Sequence, residues 1–160
     1  MKISEHLELS ELIRSDSAKR NGISNMPTPE HIDNLKKLAE NVFEKVRAHF
    51  GVPIRISSGY RSKELNAKIG GANTSQHSSG EAIDICMDNT SITNKEIFNY
   101  IKNNLIFDQL IAEFPKNNDL SWVHVSYEST GKQRKQILVA KKDKYGKTVY
   151  SQYKSDSDLK

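Results

Sequence analysis

Of the five histidines in this 160-residue chain, two have neighbours suited to metal chemistry. His77 lies in a small, polar run from Gly71 to Gly80, and Asp84 follows seven positions later in Glu81-Ala82-Ile83-Asp84-Ile85-Cys86, which reads as a strand. A loop that folds back on the strand after it lets both side chains meet one ion. Gly80 and Ala82 remove bulk where the backbone would turn close to that ion. His124 sits in Trp122-Val123-His124-Val125-Ser126, where alternation puts Trp122, His124 and Ser126 on one face and the two valines on the other. Two imidazoles and one carboxylate with a fourth position open form the ligand set of a catalytic zinc. Such an ion brings the pKa of bound water toward ~7 and polarises a carbonyl, which are the two needs of amide hydrolysis at neutral pH. On spacing alone, ordinary loop and core roles account for the three residues equally well. His31 and His49 fall on a helix with packing or solvent roles, and His6 lies in a polar N-terminal stretch.

The elements that must position these residues begin with a helix over about 29–50. Thr28 is its N-cap, Pro29 its first residue, and Ile32, Leu35, Leu38, Ala39, Val42, Phe43 and Val46 recur at helical spacing before Gly51 ends it. Residues 1–27 read as an irregular arm with apolar anchors at Leu7, Leu9, Leu12 and Ile13. A short strand is expected at Pro53–Ser57, a short helix from Arg61 to about Ile69, and a helix capped by Thr93. Strands follow at Phe107–Glu113, Trp122–Ser126 and Gln136–Ala140, the last pairing with Lys147–Tyr150 through a turn at Lys144-Tyr145-Gly146. Residues 151–160 read as a frayed tail. Helices first and a run of strands later predict an α+β domain over 1–150, with 131–150 as a basic β-hairpin.

The chain carries 24 Lys+Arg against 20 Asp+Glu, a formal charge of +4. Residues 1–130 carry a balance of −2 and residues 131–160 one of +6, so the basicity is a C-terminal property. The single cysteine, Cys86, excludes a scaffold stapled by internal disulfides. No apolar run approaches the ~20 residues of a membrane span, so no membrane association is expected. The N-terminus turns polar at once, and the expectation is synthesis in the cytoplasm without a signal peptide. Lys132, Arg134, Lys135, Lys141, Lys142, Lys144, Lys147 and Lys154, interleaved with Tyr145, Tyr150 and Tyr153, could track phosphates. No nucleic-acid motif accompanies them, and a charge-protected edge hairpin explains them without a nucleic-acid partner.

Ser75-x-His77-x-x-Gly80-x-Ala82-x-Asp84, preceded by Ser58-Gly59-Tyr60-Arg61-Ser62 and followed by Trp122-Val123-His124, resembles the zinc D-Ala-D-Ala metallopeptidases of the Hedgehog/DD-peptidase fold. That group includes D,D-carboxypeptidases, D-Ala-D-Ala dipeptidases and phage L-Ala-D-Glu endopeptidases. The three blocks stand in the family's order from the first helix to Ser126. The arm, with Leu9-Ser10-Glu11-Leu12 and Ser15-Asp16-Ser17-Ala18-Lys19, further resembles the small phage and prophage members. The resemblance implies a mostly antiparallel sheet with helices packed against it. It also implies one Zn2+ per chain held by His77, Asp84 and His124, and a monomer acting on peptidoglycan stem peptides.

By the same resemblance, Arg61 matches an arginine that contacts the substrate's terminal carboxylate or a backbone carbonyl, a role its planar guanidinium fork suits. Ser75 is expected to bond substrate or loop backbone, and Trp122 to pack on substrate or in the core. The family places an acidic general base three residues before the last histidine, and here that position is Ser121. Glu113 and Asp119 are the acids left for the task. Glu113 ends an apolar strand, and burial there raises a carboxyl toward the pKa a base needs, whereas Asp119 lies in a polar loop. The alternative is a zinc-binding module that holds the cell wall without cutting it.

Overall fold

A computed structural model describes all 160 residues. The N-terminal segment is more ordered than an arm. Strands β1 (Lys2–Ser4) and β2 (Leu7–Glu8) pair antiparallel, and short helices α1 (Leu9–Ile13) and α2 (Asp16–Asn21) follow. The scattered apolar residues explain the difference, because Ile3, Leu7, Leu9 and Leu12 all insert into the main core and draw the polar segment down with them.

The long helix starts and stops where its caps dictate. The Thr28 hydroxyl accepts the His31 amide at 3.2 Å, Pro29 opens α3 (Pro29–Leu38), and Gly51, at φ +67°, closes α4 (Glu44–Phe50). Between them, Ala39–Phe43 form a π-helical turn, whose extra residue keeps Ala39, Val42, Phe43 and Val46 all buried along one face.

The remaining elements are β3 (Ile56–Ser58), α5 (Lys63–Lys68), a 3-10 turn at Gln76–Ser79, β4 (Ala82–Ile85), α6 (Asn94–Asn104), β5 (Gln109–Glu113), β6 (Trp122–Ser126), β7 (Gln136–Lys142) and β8 (Thr148–Gln152). The Thr93–Glu96 capping box opens α6, and β3 starts after Pro53, which has no amide to donate to a ladder. Six strands form one sheet in the order β3-β4-β6-β5-β7-β8, antiparallel except for β5 beside β7. The α+β architecture and the mostly antiparallel sheet agree with the sequence reading.

Register divides the sheet's work. Ile83 and Ile85 of β4, Val123 and Val125 of β6, and Leu110 and Ala112 of β5 lie opposite one another, and all are fully buried against the helical layer of Leu35, Leu38, Phe43, Ile97, Phe98 and Ile101. Each valine, leucine or isoleucine among them contributes roughly 1.5–3 kcal/mol by leaving water. Asp84, His124, Ile111 and Glu113 occupy the other face, where they are also buried and where the 3-10 turn of His77 and Arg61 approach.

The expected frayed tail is ordered. A 3-10 turn at Asp156–Leu159 puts Leu159, 1% exposed, into the core, and the Lys141 ammonium donates to the Lys160 carbonyl at 3.2 Å. One apolar residue near the end of a polar decapeptide suffices to anchor it.

Candidate metal centre

Asp84 and His124 are cross-strand neighbours on β4 and β6, and His124 Nδ1 lies 3.0 Å from Asp84 Oδ1. His77 arrives from the 3-10 turn, its Nε2 3.3 Å from the same oxygen, and the two imidazoles meet edge to face at 5.1 Å between centroids. All three side chains are buried, and their ligating atoms lie within 4.8 Å of one another. Burial works to raise the Asp84 pKa, but His77 and His124 outweigh it and hold the carboxyl well below the usual carboxylate range. The carboxylate is thus ionised and ready to ligate.

The tautomer of His77 follows from its surroundings. Its Nδ1–H donates to the Gly59 carbonyl at 2.7 Å, which leaves the Nε2 lone pair aimed at Asp84 and His124. That Nε2 is buried and has no hydrogen-bond partner. Two ligands ~2.0–2.1 Å from a tetrahedral zinc stand about 3.3 Å apart, close to the separations found here. An orphaned imidazole nitrogen, an ionised carboxylate and a second imidazole fit zinc, and the three residues suffice to hold it.

The turn that carries His77 is held from several sides. Ser75 Oγ accepts the His77 amide at 3.3 Å, so Ser75 caps the turn. Gly80 ends it at φ +76°, and a Cβ there would stand 2.5 Å from the His31 carbonyl oxygen. Gln76 Nε2 donates to Asp108 Oδ2 at 3.0 Å, and Arg134 clamps the buried Asp108 through its amide, Nε and NH2 at 2.8–3.2 Å. Arg134 is therefore committed to Asp108 and does not join the free cations of the hairpin.

Glu113 lies diagonally from His124 on the same face, since Ile111 is the direct partner of His124 and Glu113 stands opposite Trp122. Diagonal neighbours of this kind stand about 7–8 Å apart across a sheet, their Cβ atoms somewhat closer, within reach of long side chains. Glu113 is 7% exposed. Burial pushes its pKa up to about 7, with His124 and Arg61 pulling it down and Asp84 adding to the rise. Asp119 is turned elsewhere: its carboxylate accepts the Asn94 and Lys95 amides at 3.3 and 2.8 Å and caps α6. Ser121, in the family's base position, donates its hydroxyl to the Phe114 carbonyl at 2.8 Å.

Arg61 approaches from the far side of Asp84. Its amide donates to the His77 carbonyl at 3.1 Å, NH1 donates to Asn66 Oδ1 at 3.4 Å, and NH2 is 3.9 Å from Asp84 Oδ2. Its Nε is buried without a partner. Trp122 is half-buried, and its ring tilts against Phe114 at 5.3 Å.

Three contributions escaped the sequence reading. The Gly59 carbonyl leaves no trace in a side-chain pattern, and Gly59 itself is required because a Cβ would lie 2.5 Å from the Leu12 carbonyl oxygen. Asp108, an acid inside the apolar stretch 107–113, was a visible signal of a buried polar hub. Tyr150 lies on the site face beside Ala140, which in turn stands beside Glu113, a relation that only the β5-β7-β8 register creates.

One face of the sheet is apolar and buried, and the other presents a His-Asp-His cluster that could hold a metal ion, flanked by a buried carboxyl and an arginine. The family model for Peptidase M15 matches residues 5–126. The chain therefore belongs to the peptidase M15 family and is a metallopeptidase, with His77, Asp84 and His124 as its potential metal site. No curated protein matches the chain. The matched segment ends with β6, so β7, β8 and the ordered C-terminus lie outside it.

Proposed function

We propose that the protein is a zinc peptidase that hydrolyses an amide bond in bacterial peptidoglycan stem peptides, as a D-Ala-D-Ala carboxypeptidase or an endolysin-type endopeptidase. The observation that carries this reading is the orphaned Nε2 of His77 at a buried centre that shares its face with Glu113. Zinc held by His77 Nε2, Asp84 and His124 Nδ1 would polarise the scissile carbonyl and make water nucleophilic near neutral pH.

The chain's own groups do the rest. Glu113, with its pKa about 7, takes a proton from the attacking water on a carboxylate oxygen and passes it to the leaving amine. Arg61 directs its guanidinium at the substrate's carboxylate or carbonyl, Trp122 offers an aromatic edge to the peptide, and Ser75 acts by holding the turn of His77. The exposed lysines of the C-terminal hairpin hold the monomeric enzyme against anionic wall polymers. No helix is long and apolar enough to cross a membrane.

A second reading, a zinc-binding wall module without activity, draws on Ser121 in place of the family's acid. Metal analysis and product mass spectrometry separate the two. Purified protein should carry one zinc per chain, His77→Ala should lose it, and a defined stem peptide should yield new amine-bearing fragments. Zinc without cleavage would establish the second reading, and a metal-free wild type would end both.

A further inference from the structure

Between β3 and α5 the chain runs through Gly59, Tyr60, Arg61 and Ser62 with no ladder or helix to hold it, yet its backbone is tied at almost every step. The Gly59 carbonyl takes the His77 ring N–H, the Tyr60 amide donates to the Leu12 carbonyl at 2.7 Å, and the Arg61 amide donates to the His77 carbonyl. The peptide groups on either side of Arg61 share one further partner. Asn25, buried near the end of the N-terminal segment, accepts the Ser62 amide on Oδ1 at 2.8 Å and donates from Nδ2 to the Tyr60 carbonyl at 3.0 Å and the Ile13 carbonyl at 2.9 Å. A second buried asparagine, Asn66 of α5, accepts Arg61 NH1 on Oδ1 and donates to the Ala72 carbonyl at 2.8 Å.

The surroundings of Asn25 ask for an amide. They present two acceptors and one donor, which a primary amide answers with two N–H donors and one carbonyl. Asp in the same place sets a charged oxygen against two carbonyls, and Ala leaves two carbonyls and an amide unpaired in the interior. Both peptide planes flanking the Arg61 Cα are therefore fixed, one by Asn25 and His77 together and the other by Asn25, and this sets the direction in which the side chain leaves the backbone. Asn66 then holds the guanidinium at its far end. Gly71 leaves room for it, since a Cβ there would collide with Asn66 Oδ1. An arginine without such holders keeps many rotamers, and that freedom has to be given up when a substrate binds.

We propose that Asn25 and Asn66 are positioning residues of the active site, which hold Arg61 in one conformation before the substrate arrives. The inference rests on the peptidase reading, in which Arg61 meets the substrate, and both asparagines act through Arg61. It gives the N-terminal segment a part in catalysis: Asn25 couples α1, through Ile13, to the arginine beside the metal centre.

The test is a double-mutant cycle on zinc-loaded protein with a defined stem peptide. Asn25→Ala should lower kcat/KM about 10- to 100-fold, the scale on which misplacing a binding group by about 1 Å acts. Once Arg61→Ala has removed the group being positioned, the same substitution should change kcat/KM by less than about twofold. Leu159→Ala, a core truncation away from the site, should leave kcat/KM of the folded protein within about twofold and shows what lost stability does by itself. Asn66→Ala runs the same cycle if Asn25→Ala does not fold. A loss that adds fully to that of Arg61→Ala, or no loss at all, overturns the proposal. A second readout needs no turnover. The order parameter of the Arg61 Nε–H bond should stand near the ~0.85 of a rigid backbone in wild type and fall below ~0.6 in either asparagine variant. If wild type cuts no peptide, the peptidase reading fails and the order parameter alone decides: a fall supports the positioning role, and an arginine equally rigid or equally mobile in wild type and variants overturns it.

Discussion

Replacing Glu113 with Gln should cost activity and gain stability, with opposite pH signatures. Burial raises the pKa of this carboxyl from its ordinary 4.5 to about 7. Between those values the folded chain keeps a proton that the unfolded chain has released, so stability falls as pH rises. The favourable contribution is whole below pH ~4.5 and is lost as pH passes ~7. At roughly 1.4 kcal/mol per pH unit, the full difference is about 3 kcal/mol. A neutral amide of the same shape never meets that cost. Urea unfolding of metal-free protein should therefore find Glu113→Gln no more stable than wild type at pH 4.5 and more stable by up to about 3 kcal/mol at pH 8.5. Zinc adds positive charge beside the carboxyl, favours its ionised form and should shrink the gap. The zinc-loaded variant should keep its metal and lose about 10²–10⁴ in kcat, the scale of a missing general base. A stability difference that stays flat from pH 4.5 to 8.5 would refute the burial argument. Wild-type turnover in the variant would refute the assignment of the base.

Other perturbations read other parts of the molecule. Gly59→Ala sets a Cβ against the Leu12 carbonyl and displaces the oxygen that orients His77, so zinc affinity measured by competition with a chelator should weaken about 10–100-fold. Asp108→Ala unties Gln76 and leaves Arg134 without its partner; it should lower stability by about 2–4 kcal/mol in urea unfolding, and an unchanged midpoint would count against Asp108 as a hub. Leu159→Ala should cost about 2–4 kcal/mol, whereas a frayed tail would make it silent. Reversing Lys132, Lys144 and Lys147 to Glu should reduce wall sedimentation at low salt while sparing cleavage of a small soluble peptide.

How much of this was legible in the sequence depended on the range of the signal. Thr28-Pro29 and Thr93 with Glu96 announce their helices because a cap is a local event within four residues. The alternation around His124 gave its face correctly, since a strand's period needs no partner to be read. The family blocks around His77, Asp84 and His124 marked the residues that the fold brings together. The N-terminal segment and the tail are more ordered than their composition predicts, because a few apolar side chains in a polar segment look alike whether or not a groove awaits them. Ile3, Leu7 and Leu159 are core residues only because helices and sheet elsewhere leave space for them. Arg14, just before α2, and Arg20, in its last turn, come to line the same cavity as Arg61, a convergence that no local pattern carries.

The site also shows how one sheet face holds two carboxyls in opposite states. Asp84 and Glu113 stand on either side of the β6 strand and both are buried, yet one is held ionised and the other pushed toward neutral pH. The difference is a matter of neighbours. Asp84 sits between two imidazoles at 3.0 and 3.3 Å, while no hydrogen bond or ion pair reaches the Glu113 carboxyl, and its burial is only partly offset by His124 and Arg61. A carboxyl that stays charged suits a metal ligand, and one that changes state near pH 7 suits a proton carrier. Cross-strand register produces both environments at once: Asp84 is directly beside His124, whereas Glu113 is offset by one diagonal step. Moving Glu113 by a single residue along β5 would turn its side chain to the helical face, so the chemistry depends on the same alternation that builds the core.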